Sequence, residues 1–380
     1  MEPLEECFIA PPETLEFTDA YDCGFVVVPE DAADPGGPEV KLSFLRFRSR
    51  AQTGASPLFL LGGGPGGTQM MPTWFLFMAP GYLGDLLESR DVILLDQRGT
   101  AYTEPALDCP DYHRMAWFRH AQGLDDQGVL AKQGEILRGC VAGFEEAGVD
   151  LSTFNSVVIA SDIDAARRAL GYDRIFYYGG SYGSQLGQHL MRDFPEILEG
   201  AILDGANSLS RRSWVEDRAL DLDYALGHLA GLCSADPACD AAYDIPALLQ
   251  AGMALFDDGP LEAAYTDPES GEELRFQVRR SDFVSFVYTQ MQSKYGVQAL
   301  PWVLDLVVSG GRETMAQVLA EEIGSDIVSQ RDEGGSGIAT VMHYAVVCSD
   351  DPVRSVDEVV VEPETSTLAR EWARAGPGST

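Results

Sequence analysis

The rhythm of apolar and polar positions changes about halfway along the chain. In the first half, short apolar runs alternate with stretches of helical spacing, a pattern that predicts α/β layers. "CGFVVVPED" and "VKLSFLRFRS" predict an opening pair of strands, joined by the Gly/Pro-rich "DAADPGGPE". "SPLFLL" reads as a short buried strand running into "GGGPGGTQ", and "RDVILLDQRGT" as another that ends in a polar loop. Buried strands that each hand over to a polar loop fit a mostly parallel sheet, whose functional loops lie at the carboxyl ends of its strands. "SDIDAARRALGY" predicts a helix with a Ser/Asp start and Gly171 as its stop. Strand "RIFYYGG", helix "GSQLGQHLMRDF" and strand "LEGAILDG" follow.

From about Asn207 to Val359 the spacing becomes amphipathic and helical, in "SWVEDRALDLDYALGHLAGLC", "IPALLQAGMALFDDG", "SDFVSFVYTQMQS", "LPWVLDLVVSG" and "ETMAQVLAEEIG". No internal repeat interrupts it. The expected division is an α/β core over residues 1–207, a helical cap over 208–360 and a short tail over 361–380, ending in the small, polar "ARAGPGST".

Composition narrows the class. The 380 residues are 45% hydrophobic and 23% charged, enough for one large core with an insertion or for two modest domains. No apolar run approaches the ~18–20 residues needed to span a bilayer. The opening "MEPLEECFIAPPETLEF" shows neither a basic nor an apolar signal region. The net charge is -34 and the pI about 4.3, with lysine only at Lys41, Lys132 and Lys294. Such a surface repels nucleic acid and anionic membranes, which removes both as partners. Solubility accounts for the charge without invoking a function. The sharper readings are adaptation to high salt or attraction of cationic substrates such as free peptide amino termini.

Seven cysteines show no paired zinc-knuckle spacing, so neither a metal nor a cofactor is expected. Cys233 and Cys239 sit close together in "CSADPACD", where the proline favours a turn and a local disulfide fits. An odd count leaves one thiol over. The expectation is an oxidising compartment, three disulfides and a free Cys348; the alternative is a set of reduced, buried thiols.

The chemistry is concentrated in two glycine-rich turns. Gly179-Gly180-Ser181-Tyr182-Gly183 is a G-x-S-x-G sequence between a predicted strand and a predicted helix. That context defines a nucleophile elbow: the small residues permit a sharp turn, and the serine hydroxyl is lifted over the sheet at a helix amino end. The plain alternative is a serine in an ordinary strand–helix turn. "LGGGPGG" (Leu61 to Gly67) directly follows a buried strand. A tetrahedral intermediate needs two N–H donors aimed at its oxyanion. Tyr182, after the nucleophile, supplies one, and the early Gly-rich loop the other. A phosphate loop fits poorly, because no G-x-x-x-x-G-K-[ST] follows and no lysine is near. A dinucleotide turn fits poorly too, because proline lies inside "GGGPGG".

Taken in order, "GGGPGG", "DVILLDQRGT", "DIDAARRALGYDRIFYYGGSYGS" and "GAILDGA" resemble the α/β-hydrolase fold, most closely the proline iminopeptidase and tripeptidyl aminopeptidase family of serine peptidases. "LDCP" at Cys109 and "YAVVCSDD" at Cys348 resemble the tripeptidyl aminopeptidase branch. The resemblance implies a secreted or cell-envelope enzyme that removes residues from peptide amino termini. It makes Ser181 the nucleophile, Gly64 and Tyr182 the oxyanion hole, and Asp96, Gln97 and Arg98 the brace beneath the site. It pairs Cys7 with Cys23, Cys109 with Cys140 and Cys233 with Cys239. Three positions depart from the family. Gly62 stands where iminopeptidases commonly carry histidine, and the "DQRGT" loop continues with Ala101 and Thr103 in place of a glycine and a serine.

A serine hydroxyl needs a base within hydrogen-bond reach, oriented by an acid, and in this fold the order is Ser, then Asp or Glu, then His. The family's acid lies in a G-x-x-D-P-V-T-P loop. Here Asp351-Pro352-Val353 copies part of it, with no histidine after it, and reads as the end of the cap. Of the five histidines, His113, His120, His189 and His228 read as structural or surface residues, and only His343 is late. Asp204 closes a strand and reads as a brace. The expectation is a chain that lacks the last strands of the sheet, with neither acid nor base found, leaving an open edge and uncovered apolar surface on "GAILDG". The functional expectation is a serine hydrolase of the aminopeptidase type acting on peptides. The alternatives are an esterase of the same fold, taking small ester or amide substrates, and a catalytically incomplete fragment or pseudoenzyme.

Overall fold

The strands of the first half form one seven-stranded sheet in a computed structural model that describes residues 1–51, 53–210, 214–332, 337–351 and 368. In chain order the strands are β1 (Glu2–Pro3), β2 (Tyr21–Pro29), β3 (Glu39–Phe47), β4 (Leu58–Leu61), β5 (Val92–Leu95), β6 (Ile175–Gly180), β7 (Leu198–Asp204), β8 (Leu261–Thr266) and β9 (Glu273–Val278). The helices are α1 (Thr73–Phe77), α2 (Met115–Gln122), α3 (Asp126–Glu146), α4 (Ser156–Ala169), α5 (Tyr182–Asp193), α6 (Trp214–Ala235), α7 (Pro237–Ala242), α8 (Ile245–Ala254), α9 (Arg280–Met291), α10 (Lys294–Asp332) and α11 (Thr340–Asp350).

Two units divide the chain. The first comprises residues 1–109, 137–211 and 337–352; the second comprises 110–136, 212–336 and 353–380. The expected cut near residue 207 is close to the one found at 211, but two segments trade places. Residues 110–136, read as part of the core, belong to the helical unit. Residues 337–352, read as the end of the cap, belong to the sheet unit. The reason is local: Met342 donates its N–H to Leu107 and Ala339 to Gly66, both in the sheet unit. The expected tail lies outside the described residues apart from position 368.

In the sheet unit the strand order is β1-β2-β3-β5-β4-β6-β7. β4 pairs in parallel with β5 and β6, and β6 with β7, while β1, β2 and β3 join antiparallel. The carboxyl ends of β4, β5 and β6 therefore open on one rim of the sheet, where their loops meet. β4 and β5 are buried almost throughout, as strands covered on both faces must be. One face packs on Phe47, Phe75, Met78, Leu87 and their neighbours, with Phe17, Tyr21, Phe47 and Phe75 meeting edge to face or tilted. α4 starts one turn earlier than its pattern predicts, because the Asn155 side chain accepts the Val158 N–H and caps it. Gly171, at φ 83°, ends the run as expected. β7 has a strand neighbour on one side only among the described residues, and its Ile202 is 58% exposed.

In the helical unit, a core that includes Leu222, Leu226, Val278, Phe283, Val287, Leu300, Leu304 and Leu319 joins the helices. The two helical stretches read at 300–310 and 313–324 form one element, α10, broken at Gly311 (φ 69°). The hairpin β8–β9 was not read from the sequence. Its signal is a strict alternation of buried and exposed residues in "LEAAYT", with "DPESG" as the turn, where Asp267 accepts from the N–H groups of Glu269 and Ser270.

Disulfides join Cys7 to Cys23, Cys109 to Cys140 and Cys233 to Cys239, and Cys348 is a free thiol, as the cysteine reading expects. No helix among the described residues is long and apolar enough to cross a membrane.

Candidate active site

Ser181 stands between β6 and α5 at φ 53° and ψ -121°, the one non-glycine position at positive φ among the described residues. A side chain held in that region is strained, and the surroundings must fix it. They do so from both sides. The Ser181 N–H is bonded to the Asp204 carbonyl at 2.8 Å, and its carbonyl accepts the Ser184 N–H and hydroxyl at 2.9 and 2.6 Å. The elbow closes only because its flanks are glycine. A Cβ on Gly179 would lie 2.2 Å from the Gly183 carbonyl oxygen, and one on Gly183 would lie 2.5 Å from that of Leu61. Gly180 has no such neighbour. The Tyr177 hydroxyl, buried in the sheet, donates to the Gly183 carbonyl and pins the start of α5.

The loop after β4 lies against this turn. The residue seated on Ser181 is Gly63: a Cβ there would meet Ser181 Cβ at 2.8 Å, its Oγ at 3.0 Å and the Tyr182 nitrogen at 3.5 Å. The sequence reading named Gly64, one residue on, and the peptide joining the two relates them. The Gly63 carbonyl accepts the Gly67 N–H at 3.3 Å, so in a trans peptide the Gly64 N–H points the opposite way. At Gly62, one of the positions that depart from the family pattern, the Gln69 amide nitrogen fills the space, 1.8 Å from where a Cβ would sit.

The Asp96-Gln97-Arg98 triplet divides its work. Asp96 is 1% exposed and accepts from the Ser43 and Thr68 hydroxyls and from the Gln69 N–H at 2.7 Å, tying the far end of the Gly-rich loop to the sheet. Burial pushes its carboxyl up to about 6 despite those donors. Gln97 donates to the Gly62 carbonyl at 3.1 Å, and its own buried Oε1 has no hydrogen-bond partner among the described residues. Arg98 does not brace that loop. Its guanidinium grips Asp162 of α4 at 2.7 and 2.8 Å and donates to the carbonyls of Glu30 and Thr153. It thus locks a helix to the end of β2.

Among the described residues no histidine hydrogen-bonds the Ser181 hydroxyl. His189 is buried on α5, and its Nδ1 meets Arg192 Nη2 at 3.0 Å. Arginine only donates, so that lone pair is occupied, and burial with the Arg192 charge lowers the ring's proton affinity. The Asp204 carboxylate accepts the Tyr178 hydroxyl, on the adjacent strand β6. His113, His120 and His228 belong to the helical unit, where His120 rests edge-on against Phe276 and His228 stacks on Tyr224. His343 reaches the Gly-rich loop, with Nδ1 3.1 Å from the Pro65 carbonyl oxygen. Asp351 is described; Pro352 and Val353 lie outside the described residues.

A strand–serine–helix elbow faced by a Gly-rich loop on a mostly parallel sheet defines an α/β hydrolase, and the chain belongs to the α/β hydrolase fold family, which matches residues 56–299. It is similar to the serine protease Hip1 of Mycobacterium tuberculosis H37Rv, at 30% identity over 188 residues, 48% of this chain and 35% of that protein. It is similar also to the tripeptidyl aminopeptidase of Streptomyces lividans, at 29% identity over 213 residues, 53% of this chain and 38% of that protein. These matches span little more than a third of either relative's length, 35% and 38%. Among solved structures, proline iminopeptidase from Mycobacterium smegmatis is 14% identical, covering 92% of this chain and 86% of that one, with a TM-score of 0.36.

Proposed function

We propose that the chain carries the nucleophile and the oxyanion hole of a serine hydrolase of the aminopeptidase type. The observation that carries this reading is Ser181, held at φ 53° at the carboxyl end of β6 with Gly63 against its side chain. In the reaction, Ser181 Oγ attacks the scissile carbonyl and its proton passes to a base. The N–H groups of Tyr182 and Gly64 receive the charge on the carbonyl oxygen. The amine leaves with a proton, and water then hydrolyses the acyl-enzyme. The names of the two relatives support a peptide substrate. The net charge of -34 suits one with a free, positively charged amino terminus. Three disulfides support an extracytoplasmic setting.

A second reading, a catalytically incomplete chain, is favoured by one observation: the Ser181 hydroxyl has no histidine partner among the described residues. Labelling with a fluorophosphonate separates the two. Labelling that disappears in Ser181→Ala supports the first reading. Absence of labelling in the parent chain supports the second. If labelling occurs, amino-terminally free peptide anilides compared with simple aryl esters tell aminopeptidase from esterase.

A further inference from the structure

α11 is hydrogen-bonded to the Gly-rich loop at one end and, through Ser156, linked to Tyr182 at the other. At its amino end, Ala339 donates its N–H to the Gly66 carbonyl at 2.9 Å. One turn on, His343 Nδ1 lies 3.1 Å from the Pro65 carbonyl oxygen. A carbonyl only accepts, so Nδ1 carries the proton and donates. Between them the Met342 side chain lies against Gly99, 2.8 Å from where a Cβ would sit, while at Gly66 the Ala339 carbonyl oxygen fills that place at 2.8 Å. Two successive carbonyls of the Gly-rich loop are thus held by one short stretch of chain.

At the carboxyl end, Asp350 reaches the elbow. Its carboxylate accepts the Ser156 N–H at 3.2 Å, the Ser156 hydroxyl, and the Gln185 amide at 3.5 Å. Ser156 Oγ is in turn 2.6 Å from the Tyr182 hydroxyl. A serine has one hydroxyl proton, and here it goes to the carboxylate, so Tyr182 is the donor in that bond. Ser156 and Tyr182 are both 0% exposed, which makes the chain Tyr182–Ser156–Asp350 costly to break. The backbone nitrogen of Tyr182 lies beside Gly63, 3.5 Å from where a Cβ there would sit.

The two donor segments leave neighbouring strands, β4 and β6, whose pairing ends at Leu61 and Gly179, so beyond that point the sheet ladder no longer sets their spacing. A helix of eleven residues is roughly 16 Å long, enough to reach both. We propose that α11 is a strap that sets the spacing of the two oxyanion donors, with Asp350 and His343 as positioning residues. The inference rests on reading Ser181 and Tyr182 as the active site. It assigns a role to the "YAVVCSDD" segment, which the reaction itself leaves unused. Donors displaced by a fraction of an ångström stabilise the developing charge far less than donors already in place.

The test uses Asp350→Asn, Ser156→Ala and His343→Ala in the full chain, with two readouts. In hydrogen exchange, Asp350→Asn and Ser156→Ala are expected to speed exchange about tenfold in peptides covering 180–190, and His343→Ala in peptides covering 62–70. Peptides from β2 and β3 remain unchanged. In fluorophosphonate labelling, the bond-forming rate is expected to fall about tenfold at unchanged reagent affinity. Asp350→Asn and Tyr182→Phe are expected to be non-additive, because they break one chain of hydrogen bonds. Unchanged exchange in both loops overturns the strap, as does an equal rise in β2 and β3, which would mark general loosening. If the parent chain takes no label, the activity reading fails, and the exchange pattern alone decides the strap.

Discussion

Single glycines set the limits of the elbow. Gly179→Ala or Gly183→Ala drives a methyl group into a backbone carbonyl at 2.2 or 2.5 Å, an atom that cannot swing aside. Each is expected to cost about 1–3 kcal/mol in urea melts and to abolish fluorophosphonate labelling. Gly180→Ala, with its nearest atom at 3.8 Å, is expected to do neither. Asp162→Ala leaves the Arg98 cation buried and unpaired, and about 3–5 kcal/mol of stability is expected to go with it. Asp96 offers a test by pH. Its carboxyl is raised to about 6 from an ordinary 3.8, so as pH falls the folded chain takes up this proton first. The contribution to stability is fully present below about pH 4 and is lost as pH rises through about 6. Asp96→Asn carries no such term. Relative to the parent, the variant is expected to gain about 2–3 kcal/mol between pH 4 and pH 7, read from urea midpoints at the two values. At this scale the sequence was most legible where chemistry dictates residue type. Ser181 and the small residues around it could be read directly. The divided work of Asp96, Gln97 and Arg98 could not, because adjacent residues on a loop point in different directions and only packing decides which way.

At the scale of elements, caps explain where the boundaries fell. α4 begins at Ser156, capped by Asn155, rather than at Ser161, because a side-chain oxygen that satisfies an end N–H outweighs the weak helix preference of "SVVI". Asn155→Ala is expected to lower stability by about 1 kcal/mol, measured by thermal or urea unfolding. The hairpin β8–β9 was missed because its neighbours are helical on both sides, and a six-residue alternation is a short signal within a long helical trend. The stretch that forms α11 was read only as the end of the cap, neither as a helix of its own nor as part of the sheet unit. Hydrophobic spacing says nothing about which surface buries a segment.

For the whole molecule, the order of strands and loops could be read because each buried strand hands over to a distinctive turn. The trading of residues 110–136 and 337–352 between units could not, since both depend on contacts distant in sequence. The disulfides act at this scale too. In the chain-entropy picture a cross-link stabilises more as its loop lengthens. Separations of 31 residues for Cys109–Cys140 and 6 for Cys233–Cys239 therefore rank their effects. Replacing the first pair by alanine is expected to cost about 3–4 kcal/mol and the second about 2 kcal/mol, compared by urea melts of the two double variants.

The position of β7 at the end of the sheet, with a strand neighbour on one side only among the described residues, has a practical consequence for handling the protein. A strand edge of this kind is a template for another copy, and an isoleucine that is 58% exposed at position 202 adds a sticky apolar contact. Despite a net charge of -34, concentrated samples are expected to form small aggregates by edge-to-edge pairing, more of them as salt screens the repulsion. Ile202→Lys puts a charge on that edge and is expected to return the chain to a single species in light scattering.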